Sequence, residues 1–325
     1  MTTRMRPRSR AVPTALLLPL VCLIALGGAA CSPSPDAISG RSGAKVLLIG
    51  IDGVRPDVLA EVSTPVMDSL AAGGWYTAEA RTTTPSVSGP SWSSMLTGVW
   101  PAKHGVVDNS FEGRRYAEYP GFLTLVERER PDLSTFAALD WMPLASLDGG
   151  GPVLSGEIDT LVAVDGYELG WAEADSVVAS RAAQHLASAD ADAAFVYLGN
   201  PDETSHRHAS IGVEYRDAIA LSDRHVGWLV DALRARSAYA EEDWLVLIST
   251  DHGRREDGGH GGDSPEEMTI FILASGPSTG GWPAAGSRPT HIVDVPATAL
   301  HHLGVPPDPG AGLDGEPLAR AGDGP

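Results

Sequence analysis

Two stretches share one pattern, Lys45–Asp57 (KVLLIGIDGVRPD) and Trp244–Gly253 (WLVLISTDHG): an unbroken apolar run and, directly after it, an aspartate. Runs this short and this rich in Val, Leu and Ile read as strands buried on both faces, as in a parallel sheet covered by helices. Ser134–Leu139, Ala193–Leu198 (AAFVYL) and Met268–Ala274 (MTIFILA) have the same character. Between them, Thr64-Pro65 reads as the N-cap and first residue of a helix, and Ala172–Ala189 and Val213–Ala235 are longer amphipathic stretches. Strands alternating with helices predict an α/β fold, a doubly wound and mostly parallel central sheet flanked by helices. Residues 140–170 are Gly/Asp-rich and are expected to form loops over one end of the sheet.

Ligands of such sheets bind just outside the carboxyl ends of the strands. Asp52 follows the first run, Asp202 and His206 follow AAFVYLG in NPDETSH, and Asp251 and His252 follow WLVLIST. His260 stands nearby in the glycine-rich Gly258–Gly262. One aspartate after a strand is usually a turn former, and one histidine usually a satisfied surface group. Their recurrence at three strand ends favours metal binding. A candidate nucleophile, Ser88, lies in TTTPSVSGPSWSSMLTG. Pro90 suits the start of a helix over Ser91–Leu96, with Ser88 and Gly89 in the preceding turn. A phosphate on Ser88 would then meet the free N–H groups and positive end of that helix. The segment suggests no Ser–His pairing, so metal coordination is the expected source of activation. Read by itself, the segment favours Ser88 as a simple helix cap, and Asn109, in Asp108-Asn109-Ser110, equally reads as a turn residue.

The chain has 325 residues, with 23 basic and 42 acidic side chains and a net charge of −19. Arg4, Arg6, Arg8 and Arg10 precede an apolar run, Ala11–Gly28, and Cys31 follows Gly28-Ala29-Ala30. This is the order of a lipoprotein-type signal peptide over residues 1–30, with Cys31 as the lipid-bearing residue. Residues 31–44, rich in Ser, Pro and Gly, are expected to form a flexible tether, and 45–320 the catalytic domain. Loss of the four arginines leaves a mature charge of −23. Such a surface repels nucleic-acid backbones, so no nucleic-acid binding is expected. The expected location is the cell envelope, as an exported lipoprotein. With Cys22 in the signal run, one cysteine remains, so the folded domain has no disulfide.

Taken together the motifs resemble the alkaline phosphatase superfamily, most closely its type I phosphodiesterase/nucleotide pyrophosphatase branch, with sulfatase-like features. The segments concerned are Ile51–Asp57, Ser88-Gly89-Pro90 through Leu96-Thr97-Gly98, Pro101–Gly105 with Asn109, Pro201-Asp202 with His206, Asp251–Gly253, and His260-Gly261. The resemblance implies a phosphoric ester hydrolase with two divalent metal ions, zinc or manganese. Asp202, His206 and His260 would hold one ion; Asp52, Asp251, His252 and Ser88 the other. Ser88 would be the nucleophile acting on a small phosphate-ester substrate, and Asn109 would donate to a non-bridging oxygen. Sulfatases of the superfamily need Arg where this chain has Trp92, which favours unmodified serine and phosphoryl transfer. Gly89 stands where nucleotide pyrophosphatases carry an aromatic residue. Three rivals stand beside this reading: a phosphomonoesterase, a sulfatase, and a non-catalytic binding lipoprotein. Trp141, just past a strand, is expected to pack a loop or line the substrate pocket. His104, Arg55, Asp57, Asp263, His208, His301 and His302 are expected to be structural or solvated.

Overall fold

The computed structural model describes residues 43–146, 152–154, 156–305 and 312–319. The expected signal peptide, Cys31 and nearly all of the tether lie outside the described residues. Ala44, assigned by sequence to the tether, instead opens the first strand.

Seven strands form one sheet: β1 (Ala44–Ile51), β2 (Trp75–Arg81), β3 (Thr135–Leu139), β4 (Thr160–Ala163), β5 (Ala193–Leu198), β6 (Asp243–Ser249) and β7 (Thr269–Ser275). Their order is β2-β7-β6-β1-β5-β3-β4, and only β7 runs antiparallel to its neighbours. The five strands read from sequence are all present. β2 and β4 are additional. Both lie at sheet edges and are partly exposed, so neither carries the continuous apolar run that marks a buried strand. β4 and the short helix Gly166–Leu169 also give order to part of 140–170, which the sequence reads as loop.

Alternating side chains of β1 serve two cores. Val46 and Leu48 face a layer containing helices Ser88–Thr97, Phe122–Glu129 and Asp294–Leu303, while Leu47, Ile49 and Ile51 face Pro65–Ala72, Trp171–Ser188 and Val213–Arg234. Each fully buried Leu or Ile contributes roughly 1.5–3 kcal/mol, so the central strands are fixed by burial on both sides. Thr64 precedes its helix as expected, yet its hydroxyl donates to Asp68 Oδ1 at 3.2 Å instead of capping the backbone.

The helix after β5 is anchored by a buried acid pair. Asp175 Oδ1 accepts the N–H groups of Gly199 at 2.8 Å and Asn200 at 3.3 Å, where helix Asn200–His208 begins. Asp140, at the end of β3, faces Asp175, and both are fully buried. Burial, and then the charge of Asp175, push Asp140 well above the usual carboxylate range, so it keeps its proton and donates to Asp175. Burial pushes Asp175 up to about 6. The folded chain therefore holds protons that the unfolded chain releases above about pH 4, and the pair's contribution to stability, full at low pH, erodes as pH rises. Asp140→Asn supplies a permanent donor. Its melting temperature should fall less steeply than that of the wild type between about pH 4 and 7; parallel curves would show that the pair does not titrate there.

Candidate metal and nucleophile site

β6, β1 and β5 lie side by side, with Gly50 in register with both Tyr197 and Ser249. The chain leaves all three strands at one level, so Asp52, Asp202 and Asp251 converge. All three are buried. Each has one oxygen tied back. Asp52 Oδ2 accepts from Trp92 Nε1 at 2.8 Å and from the Tyr197 hydroxyl at 2.6 Å. Asp251 Oδ1 accepts from the Gly53 N–H at 3.0 Å. Asp202 Oδ1 pairs with the Arg254 guanidinium. The opposite oxygens of Asp52 and Asp251 meet no donor among the described residues, and Asp202 Oδ2 lies 3.3 Å from His206 Nε2.

The histidines close the cluster. His252 Nδ1 is 2.9 Å from its neighbour's carbonyl, that of Gly253, which assigns the proton there and leaves the Nε2 lone pair facing inward. That Nε2 lies 3.3 Å from Asp251 Oδ2 and 3.6 Å from Asp52 Oδ1. His260 Nδ1 is likewise 2.9 Å from the Ser86 carbonyl, and its Nε2 is 2.9 Å from His206 Nε2 and 3.6 Å from Asp202 Oδ1. The His252 and His260 rings stack at 3.8 Å. Donor atoms of Asp52, Asp251 and His252 lie within 4.8 Å of one another, as do those of Asp202, His252 and His260.

Crowding shows in the proton affinities. Burial, then the charge of Asp202, push Asp52 up to about 7. Burial and the charge of Asp52 push Asp251 well above the usual range. Burial opposes ionisation of Asp202 too, but the Arg254 charge and the three histidines overcome it and hold that carboxyl below the usual range. Burial keeps His252 and His260 neutral, whereas the Asp202 hydrogen bond raises His206. Orphaned inward oxygens, neutral imidazoles and a mixed carboxylate–imidazole donor set fit divalent cations of the zinc or manganese type.

Ser88 stands at the edge of this cluster, its Oγ 3.2 Å from His252 Nε2. The segment around Ser88 suggests no such partner, but the resemblance, which places Ser88 and His252 on one ion, implies their proximity. The two residues are 164 positions apart; His252 follows β6, the neighbour of β1, while Ser88 is brought in by the first turn of its helix. The helix also starts earlier than expected: it spans Ser88–Thr97, with Val87 as its cap, so Ser88 is its first residue and not a turn residue. Its end offers fewer free donors than expected, because the Gly89 N–H is given to Asn109 Oδ1 at 2.6 Å and Pro90 has none. That bond occupies the Asn109 oxygen and leaves its NH2 group for the cavity, which Asn109 lines together with Ser88.

The cavity has a volume of about 220 Å³ and brings together Asp52, Ser88, Asn109, Asp202, His206 and His260. Asp251 and His252 lie beneath it, fully buried. Trp141 both lines the cavity and packs, near-parallel to Tyr197 at 6.3 Å. The remaining sequence candidates stay outside. His104 is buried against Ser94 and the Val106 N–H, Arg55 pairs with Asp57, and Asp263 and His208 are exposed. His302 Nε2 lies 2.8 Å from the Asp243 carbonyl, at the opposite end of β6.

Three residues escaped the sequence reading. Arg254 follows the DHG triplet with nothing to mark it as buried. Tyr197 ends an apolar strand, where its polar tip at the carboxyl end was the available signal. Trp92 stood out only as a departure from the sulfatase pattern, yet it holds Asp52. Gly50 makes that contact attainable, since a Cβ there would lie 2.3 Å from the Trp92 ring. Gly50→Ala should therefore destabilise the protein by about 1–3 kcal/mol in urea unfolding; an unchanged midpoint would mean that the ring has room to move.

Comparison with known proteins bears on the fold and the family. The family pattern described as type I phosphodiesterase/nucleotide pyrophosphatase matches residues 46–135 and 154–256. Ectonucleotide pyrophosphatase/phosphodiesterase family member 7 of Rattus norvegicus is 26% identical over 237 residues, covering 64% of this chain and 49% of the relative. The chain thus spans about half the length of the curated relatives it matches. Among solved structures, murine ectonucleotide pyrophosphatase/phosphodiesterase 5 superposes with a TM-score of 0.62 at 14% identity, covering 82% of this chain and 96% of the other. A 2-O GAG sulfatase superposes with a TM-score of 0.65 at 14% identity, covering 85% and 73%, so the fold is shared with both. The chain belongs to the type I phosphodiesterase/nucleotide pyrophosphatase family.

Proposed function

We propose that the protein is a metal-dependent phosphodiesterase with Ser88 as nucleophile and two divalent ions, zinc or manganese. The observation that carries this reading is the set of three buried carboxylates, each with one oxygen tied back and one turned toward the histidines and Ser88. Asp202, His206 and His260 would hold one ion, and Asp52, Asp251, His252 and the Ser88 hydroxyl the other. When bound, such ions polarise the phosphoryl oxygens and favour the ionised form of a coordinated hydroxyl.

The chain's own groups do the rest. Ser88, fixed as the first residue of its helix, attacks phosphorus in line; the Ser88 O–P bond forms as the bond to the leaving alcohol breaks. Water then releases the phosphoryl group from Ser88. The Asn109 NH2 group donates to a non-bridging oxygen as its charge grows. His252, with its proton on Nδ1, keeps an inward lone pair and cannot repel the ions as an imidazolium would.

Charge around the cavity favours diesters. No Lys or Arg is among the described residues lining it, whereas Glu203 is. A monoester dianion, or the second phosphate of a pyrophosphate, would bring its extra charge toward that carboxylate, with no Lys or Arg on the described lining itself. A singly charged diester avoids the conflict. Because the basic start, apolar run and Cys31 have the order of a lipoprotein signal, we further propose export and lipid attachment at the cell envelope.

The test is turnover of bis-aryl phosphate, aryl phosphate and aryl sulfate by wild type and Ser88→Ala. Diester turnover should dominate and drop by roughly a thousandfold or more in Ser88→Ala. Activity untouched by Ser88→Ala would remove the proposed nucleophile, and preferred turnover of monoester or sulfate would reassign the substrate. Chelation should abolish turnover, and zinc or manganese restore it; activity that survives complete metal removal would contradict the metal-dependent mechanism.

A further inference from the structure

The two halves of the donor cluster differ in charge and in access. Asp202 is tied back by a guanidinium; Asp52 and Asp251 are tied back only by neutral donors, namely the Trp92 indole, the Tyr197 hydroxyl and a backbone N–H. Arg254 has no freedom to withdraw. It is fully buried, donates to the carbonyls of Gly53 at 2.9 Å and Gly258 at 3.1 Å, and lies over the Tyr215 ring at 5.3 Å. Gly53 leaves the room it needs: a Cβ at that position would collide with both Arg254 and Asp202. The Asp202 half thus carries one carboxylate in direct contact with a fixed cation, and the Asp52/Asp251 half carries two carboxylates that the same cation reaches only at longer range. Access runs the same way. The side chains of Asp52, Asp251 and His252 are 2%, 0% and 0% exposed, whereas those of Asp202 and His260 are 10% and 9% and that of His206 is 42% exposed.

We propose that the two ions are held unequally. The Asp52–Asp251–His252 half takes one tightly, while the Asp202–His206–His260 half takes a loosely held, exchangeable ion, weakened by Arg254. This inference rests on the two-ion reading above. A unit positive charge about 5 Å from a divalent ion lowers its affinity by on the order of tenfold or more, even with substantial screening. The occupancy of the loose half then follows the external supply of metal, so activity is set by free cation in the surroundings after the tight half is filled.

The experiment is a zinc titration of the metal-stripped full chain against a chromophoric chelator, repeated with cobalt to read each half by its absorption spectrum. Wild type should bind two ions in steps at least about tenfold apart. Asp52→Asn should delete the tighter step and His206→Ala the weaker. Arg254→Gln should tighten the weaker step by about tenfold and shift the other less, while Arg254→Lys, which keeps the charge, should stay near wild type. Equal steps, a weak step that maps to Asp52, or an Arg254→Gln variant whose weak step is unchanged or weaker still would each overturn the proposal. If Arg254→Gln does not fold, the assignments from Asp52→Asn and His206→Ala still decide. Wild type that binds fewer than two ions would instead overturn the two-ion reading itself.

Discussion

Mutual repulsion among Asp52, Asp202 and Asp251 is the constraint that organises this end of the molecule. Three carboxylates taken out of water are stable only where donors and cations meet them. Their placement follows from the strand order β6-β1-β5, which lets three chain segments leave the sheet side by side. What tolerates it is local: an indole and a phenol share one oxygen of Asp52, a backbone N–H meets one of Asp251, and a guanidinium meets one of Asp202. The geometry that survives has its remaining oxygens turned inward, toward the imidazoles.

The support reaches outward from there. Ser86, two residues before the nucleophile, donates to the Gly262 carbonyl, accepts the Gly261 N–H and receives His260 Nδ1–H on its carbonyl. One residue thus couples the segment bearing Ser88 to the loop bearing His260. On the other side, the Asp140–Asp175 pair sets the start of the helix that carries Asp202 and His206. Neither device touches a substrate, yet both decide where the donors sit.

The central strands were readable because burial on both faces writes itself as an unbroken apolar run, as in KVLLIGI and WLVLIS. The donors were readable because they sit at fixed places after those runs. β2 and β4 were not, since an edge strand needs no such run. The groups that hold the donors were harder still. Nothing local separates Arg254 from a solvated arginine or Trp92 from a core indole; their roles depend on partners 52 and 40 residues away. The Ser88–His252 contact, spanning 164 residues, is likewise invisible to local pattern and was reached only through the family resemblance. Periodicity reports which face a residue occupies, not which distant side chain it will meet.

Gly89 has a consequence for how this site can change. A Cβ on it would lie 2.5 Å from the Asp108 carbonyl oxygen and 2.9 Å from Asn109 Oδ1, so the Val106–Asn109 segment is wedged against the nucleophile's neighbour. Selection or engineering cannot add a side chain beside Ser88 by one substitution, because the same wedge keeps Asn109 in place. Any route toward a larger recognition surface at that point begins by remodelling the 105–109 turn. The alternative is to build from other lining residues of the cavity, such as Trp141 and Tyr167.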